Sequence, residues 1–238
     1  MAHFPFQRLQ TDLAVLIAET PAGQRLQSEP DLAKTMGVSR ATLREAMRTF
    51  ETQGLIRRRQ GSGTYVIGQP SVIDSGLEVL ESLDTLAQRM NLPISVGELR
   101  VEKLLADEEH ARIFDLRAGS PLTRVRRVIR ANDQPVSYLV DTLPESVLVE
   151  SDLLNNFRGS VLDFLLARGD SLSSSRAHVS AIGATSDMAR SLEIQRGDVL
   201  LHFDSCLYNG NGRVVDNSLS YFIPGYFDFH IVRRVGEN

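Results

Sequence analysis

The sequence predicts an α+β protein in two parts. Three amphipathic helices and a basic hairpin occupy residues 1–69, and long hairpins alternating with short helices occupy residues 81–238. Between them, residues 70–80 read as a linker that continues the Gly-, Pro- and Ser-rich run "GQPSVIDSG". Charge divides in the same place. Residues 1–70 carry nine Lys/Arg against six Asp/Glu, whereas the remainder carries 17 against 24.

Each N-terminal element has a local reason. Residues 6–20 place Leu9, Leu13, Leu16 and Ile17 on one helical face, and Pro21 and Gly23 stop the run. Ser28 caps a second helix with Leu32 and Met36 turned inward, and Gly37 ends it. Ser39 caps a third, where Leu43, Ala46, Met47 and Phe50 form the apolar stripe and Gly54 terminates. "LIRRRQ" and "TYVIG" then meet through Gly61-Ser62-Gly63 as a hairpin. Three helices and a hairpin make a winged helix-turn-helix.

On the third helix Arg40, Arg44 and Arg48 recur every four residues and face outward. An arginine there forks two donors onto the acceptor edge of guanine, or grips a phosphate. Ser39 adds a hydroxyl and helix N-terminal amides suited to phosphate. A solvated face paired with Glu45 and Glu51 is the bland alternative. The short turn before this helix and the basic hairpin after it favour DNA.

The run "LQSEPDLAKTMGVSRATLREAMRTFETQGLIRRRQGSGTYV" resembles the DNA-binding domain of the GntR family of bacterial transcription regulators. The resemblance implies contacts to bases and phosphates from Ser39, Arg40, Thr42 and Arg44. It also implies that the wing tip at Gly61 enters the minor groove, with Arg59 and its neighbours meeting flanking phosphates. Gln27, Pro30 and Gln53 depart from the family pattern, and Pro30 stands where many members carry a DNA-touching arginine.

In the second part, helical spacing over 77–90 and a strand near 97–104 precede a helix near 107–114. "NDQP" joins strands 122–131 and 136–144. A helix near 160–168, a strand over 173–182, a helix over 185–192 and a hairpin about Asn209-Gly210-Asn211-Gly212 follow. "RVIRANDQPVSYLVDTLP", "GSVLDFLLARG", "AIGATSDMARSLEIQRGDVLL" and "YNGNGRVVDNSLSYF" resemble the UTRA domain, the effector-sensing module of HutC-like GntR regulators, whose fold is shared with chorismate lyase.

By that resemblance the effector site comprises Arg127, Ile129, Leu139, Ser160, Leu162, Asp216 and Phe222. Four of these are apolar where sugar-phosphate-sensing members are polar. The expected effector is therefore a mostly apolar organic acid, its one anionic group held by Arg127. The residues alone leave Arg127 equally open to an ion pair on an exposed strand.

No catalytic or metal site is expected. His3, His110, His178, His202 and His230 are scattered without ligand spacing, although His178 and His202 could meet across strands. Cys206 is the only cysteine, which excludes an intrachain disulfide and fits the cytoplasm. No apolar run reaches bilayer length, and no secretion signal or cofactor motif stands out. The reading is a sequence-specific regulator, a homodimeric repressor on palindromic operator DNA that a small molecule controls. An enzyme of chorismate-lyase-like fold bearing a DNA-binding appendage is the alternative.

Overall fold

The computed structural model describes residues 4–52, 54–59, 62–67, 73–157 and 159–232, and divides into two compact units. One comprises Met1–Val72 with Pro224–Tyr226, the other Ile73–Ile223 with Phe227–Asn238.

In the first unit, α1 (Phe4–Glu19), α2 (Glu29–Thr35) and α3 (Arg40–Thr52) precede the antiparallel strands β1 (Ile56–Arg59) and β2 (Gly63–Val66). The expected stripes close into one core. Leu9, Leu13 and Ile17 of α1 pack with Leu32 of α2, with Leu43, Ala46, Met47 and Phe50 of α3, and with Ile56 and Val66 of the hairpin. Both short-helix caps form: the Asp31 amide donates to Ser28 Oγ at 3.4 Å, and the Thr42 amide to Ser39 Oγ at 3.1 Å.

One part of this unit escaped the sequence reading. After Pro21 the chain runs extended against β2, with the Val66 amide donating to Gln24 O and the Leu26 amide to Thr64 O, each at 2.8 Å. Arg25 bridges Tyr65, so the hairpin has a third partner. Gly63, at φ 117°, lies against the Arg25 side chain, where a Cβ would collide with Nε. Residues 21–26 carry no alternation, so only the tertiary partner reveals their strand character.

The second unit is a six-stranded antiparallel sheet in the order β4-β5-β6-β9-β8-β7. Its strands are β4 (Ile94–Leu105), β5 (Pro121–Ala131), β6 (Gln134–Pro144), β7 (Leu172–Gly183), β8 (Val199–Asn209) and β9 (Val214–Phe222). The helices are α4 (Leu83–Arg89), α5 (Glu108–Phe114), α6 (Glu150–Asn156), α7 (Val161–Arg168) and α8 (Ser186–Ser191). Val125, Leu143 and Leu207 bury one face of the sheet with Leu153 of α6 and Val161 and Leu165 of α7. Phe114 of α5 covers Leu122 on the other face.

Two expectations are corrected here. The linker reading of 70–80 fails at β3 (Ile73–Gly76), which pairs in parallel with β10 (Phe227–His230). Ile73 and Ser75 are buried there, so alternation lay hidden beneath a turn-like composition. The helix read over 77–90 begins only at Leu83, because Ser82 caps it with Oγ accepting from the Thr85 amide at 3.0 Å. Leu80 is consequently exposed.

Leu43 is fully buried among three helices. Leu43→Ala should cost the N-terminal unit about 2–5 kcal/mol, through lost burial and the cavity left behind. Urea denaturation followed by circular dichroism checks this, and an unchanged midpoint would contradict the packing described.

Candidate nucleic-acid interface and ligand site

The outward side of α3 is built from its cap. Ser39 Oγ holds the Thr42 amide and lies 2.8 Å from Thr42 Oγ1, which fixes both hydroxyls at the start of the helix. Arg40 and Thr42 are exposed beside them. Arg44 donates from Nε to Glu29 Oε2 at 2.6 Å, yet just over half of its side chain stays exposed (54%), so it is braced rather than buried. Arg48 lies 4.0 Å from Glu45, the pairing that the bland reading anticipated.

The wing arginines are not equivalent. Arg58 is turned inward: Nη2 donates to the Arg44 carbonyl at 3.1 Å, and Nε lies 3.4 Å from Glu51 Oε2. Its backbone amide also donates to Glu51 Oε1 at 3.2 Å. It therefore ties the hairpin to α3, a role the basic run did not advertise. Arg59 lies at the hairpin end of β1, opposite Gly63. Gly61 lies outside the described residues.

In the second unit the residues expected to contact an effector gather on one sheet face. Cross-strand register aligns Val96, Ile129, Ser137, Phe222 and Leu201 in one row, and Arg127, Leu139, Ser220 and Phe203 in the next. Asp141 and Ser218 follow, then Asp216 opposite Leu207. Ser160 caps α7, its Oγ accepting from the Asp163 amide at 3.0 Å, and Leu162 packs against the α6–α7 core.

The electrostatics of this face depart from expectation. Arg127 is 5% exposed and donates from Nη1 to Asp141, with the ring of Phe157 at 5.9 Å. Its charge is thus met inside the fold by Asp141, where the expectation had it facing a ligand's acidic group. The ion-pair alternative holds, though in a buried setting. The sequence reading missed Asp141 altogether, because it placed the site residue of this strand at Leu139. Register explains the miss: Leu139 lies directly opposite Arg127, and the long guanidinium reaches the next inward residue of β6.

Asp216 lies beside this pair. Burial, then the Asp141 charge and a hydrogen bond to Asp141, push its carboxyl well above the usual carboxylate range. A shift in that direction favours the protonated form of Asp216, which can donate to Asp141. Its Oδ1 has no partner among the described residues, and neither do the buried Ser137 hydroxyl and Arg127 Nε. Close by, Ser82 Oγ at the α4 cap donates to Asp163 Oδ2 at 2.5 Å. Asp84 in the first turn of α4 has its carboxyl pushed upward by burial and by Asp163, against an opposing pull from Arg127.

A cavity of about 350 Å³ opens on the opposite face, lined by Arg124, Tyr138, Asn217 and Tyr221 among others, and none of the expected effector residues lines it. His178 and His202 do not meet as directly opposed residues. His178 faces Asp204 and His202 faces Ser180, while the His202 ring stacks on Tyr221 at 4.7 Å. Burial raises the Cys206 thiol above its usual value, so no activated thiolate arises. No group of three His, Cys, Asp or Glu suited to a metal occurs among the described residues.

Two family profiles match the chain: "Bacterial regulatory proteins, gntR family" over residues 7–66 and "UTRA domain" over residues 82–228. The HTH-type transcriptional repressor NagR of Bacillus subtilis is 28% identical over 216 residues, covering 88% of this chain and 86% of that protein. The histidine utilization repressor of Pseudomonas putida is 28% identical over 181 residues, covering 76% and 72%. The crystal structure of PhnF from Mycobacterium smegmatis superposes with a TM-score of 0.67 at 18% identity, over 96% of this chain and all of that one, which supports the fold.

The raised Asp216 carboxyl sets a pH dependence. From about pH 4 upward the unfolded chain gives up this proton while the folded chain keeps it, so folding stability falls as pH rises. Asp216→Asn removes that loss. Melting temperatures of both proteins between pH 4 and 8 should show the variant gaining on the parent as pH rises. A difference independent of pH would contradict a protonated Asp216.

Proposed function

The chain belongs to the gntR family of bacterial regulatory proteins and carries a UTRA domain, and on that premise we propose a homodimeric repressor that a small organic molecule releases from its operator. The chain is a DNA-binding transcriptional regulator. Its relatives carry repressor names, NagR and the histidine utilization repressor among them. The enzyme alternative gains nothing from the fold or the relatives.

The observation that carries the DNA-reading half is the exposed row at the start of α3. Ser39 and Thr42 hydroxyls, helix N-terminal amides and the Arg40 guanidinium converge there within two turns. Hydroxyls and amides suit phosphates, and Arg40, together with the braced Arg44, suits base edges. Glu29 holds Arg44 in place without burying it, which limits the side-chain entropy lost on binding. Arg59 and Gly61 complete the proposed interface at the wing.

One recognition helix reads only a few base pairs, so two copies on a palindrome supply the remaining specificity. The cytoplasm, where the genome lies, is the proposed location. The effector site is proposed on the sheet face that carries Arg127, Ile129, Leu139, Ser160, Leu162, Asp216 and Phe222. Occupation must favour the form with weaker operator affinity, since equal affinity for both forms shifts nothing.

Arg40→Ala should weaken operator binding by about 1–3 kcal/mol, and the parent's affinity should fall steeply with salt as phosphate counterions are released. Fluorescence anisotropy on a labelled operator duplex checks both. Equal affinities for parent and variant would take this end of α3 out of the interface.

A further inference from the structure

Resting on the effector-site reading, we propose that the ligand of this sheet face carries a positive charge, an ammonium or amidinium group on an otherwise apolar body. The argument begins with a charge balance. Asp84, Asp141, Asp163 and Asp216 gather around Arg127, and among the described residues it is the only cation acting on both Asp84 and Asp216. Arg127 is already met by Asp141. An added carboxylate or phosphate would face Asp84 and Asp163 as well, with Arg127 already paired to Asp141.

The other usual anion sites are also filled. α4 and α7 start close together, and their first turns are occupied by the chain's own Asp84 and Asp163, bridged by Ser82. Each carboxyl offsets the partial positive charge of its helix start. A cation faces the opposite situation. Asp216 Oδ1 is buried, unpartnered and on the same face as Ser218 and Ser220, so an N–H donor arriving there satisfies an orphaned acceptor.

The body of the ligand follows from the side chains beyond Asp216. Ser218 and Ser220 of β9 and Ser205 of β8 are half-buried and small, and they share the sheet face of Asp216. Beyond them on that face lies a cluster of rings, with Phe203 and Phe222 at 5.4 Å edge to face and Phe229 about 5 Å from each. Asp216 and Phe222 are six positions apart on β9, roughly 20 Å at the usual rise. A charged head at Asp216 on a flexible stem directs a ring along that line toward the phenylalanines.

The test is calorimetry on the full-length protein with 4-phenylbutylamine, putrescine and benzamidine as cations, and with 4-phenylbutyrate and glucose 6-phosphate as anions. We expect 4-phenylbutylamine to bind and both anions to stay silent. Asp84→Asn, at a half-buried position, should weaken the amine at least tenfold. Asp141→Asn, which releases Arg127, should admit 4-phenylbutyrate. Tighter binding of either anion than of the amines to the parent protein overturns the proposal, and so does silence from all three cations. Amine binding unchanged by both Asp84→Asn and Asp216→Asn overturns it too, since the ligand then sits elsewhere. The site reading fails separately: anion binding abolished by Arg127→Met keeps the site and loses the cation. Amine binding that leaves operator affinity unmoved keeps the cation and loses the regulation.

Discussion

A guanidinium buried in the middle of a β-sheet face must be answered by acid, and the C-terminal unit is organised around that requirement. Arg127 projects from β5 onto a face otherwise closed by Val125, Leu143, Leu207 and the helices α6 and α7. Removing such a charge from water costs several kcal/mol, which Coulomb attraction offsets only when geometry and hydrogen bonding are good. Asp141 supplies the ion pair and Phe157 a ring at cation–π distance. Asp216 supplies a third group, its carboxyl pushed well above the usual carboxylate range by burial and by Asp141. The result is a polar island within an apolar layer, with three buried polar atoms left unsatisfied among the described residues: Asp216 Oδ1, Arg127 Nε and the Ser137 hydroxyl. Natural cores rarely leave such groups without a use.

The N-terminal unit solves a different problem, presenting cations without letting them wander. Glu29, in the first turn of α2, holds Arg44, and Glu51, near the end of α3, holds Arg58. Arg58 in turn reaches the Arg44 carbonyl, so hairpin and helix are joined where both would approach DNA. The strip at 24–26 adds backbone hydrogen bonds to β2 from the other side. The basic excess of this unit is thereby divided between arginines that shape the surface and arginines left to meet a polyanion.

Much of this was legible in the sequence, and the reasons are local. Ser28 and Ser39 announced helix starts because a side-chain cap needs only three residues of context. The long strands were announced by alternation and by turns such as Asn209-Gly210. β3 was not, because its partner strand lies some 150 residues away and its buried Ile73 and Ser75 sit in a turn-like composition. α6 went unseen for a similar reason, since Val149 offers no side-chain cap and Asp152 reaches back to the Val149 amide instead. At the site, Arg127, Ser160 and Asp216 could be picked out by type and position, whereas Asp141 could not. Its importance depends on a side chain reaching diagonally across two strands, and that is a property of register.

The pairing of Arg127 with Asp141 is therefore the claim on which the account turns, and a double-mutant cycle measures it directly. Urea unfolding of the parent, Arg127→Met, Asp141→Leu and the double variant gives the coupling energy. Each single change leaves a buried charge without its partner and should cost about 3–5 kcal/mol, while the double change should cost far less than the sum. Additive costs in the double variant would show that Arg127 finds its counter-charge elsewhere.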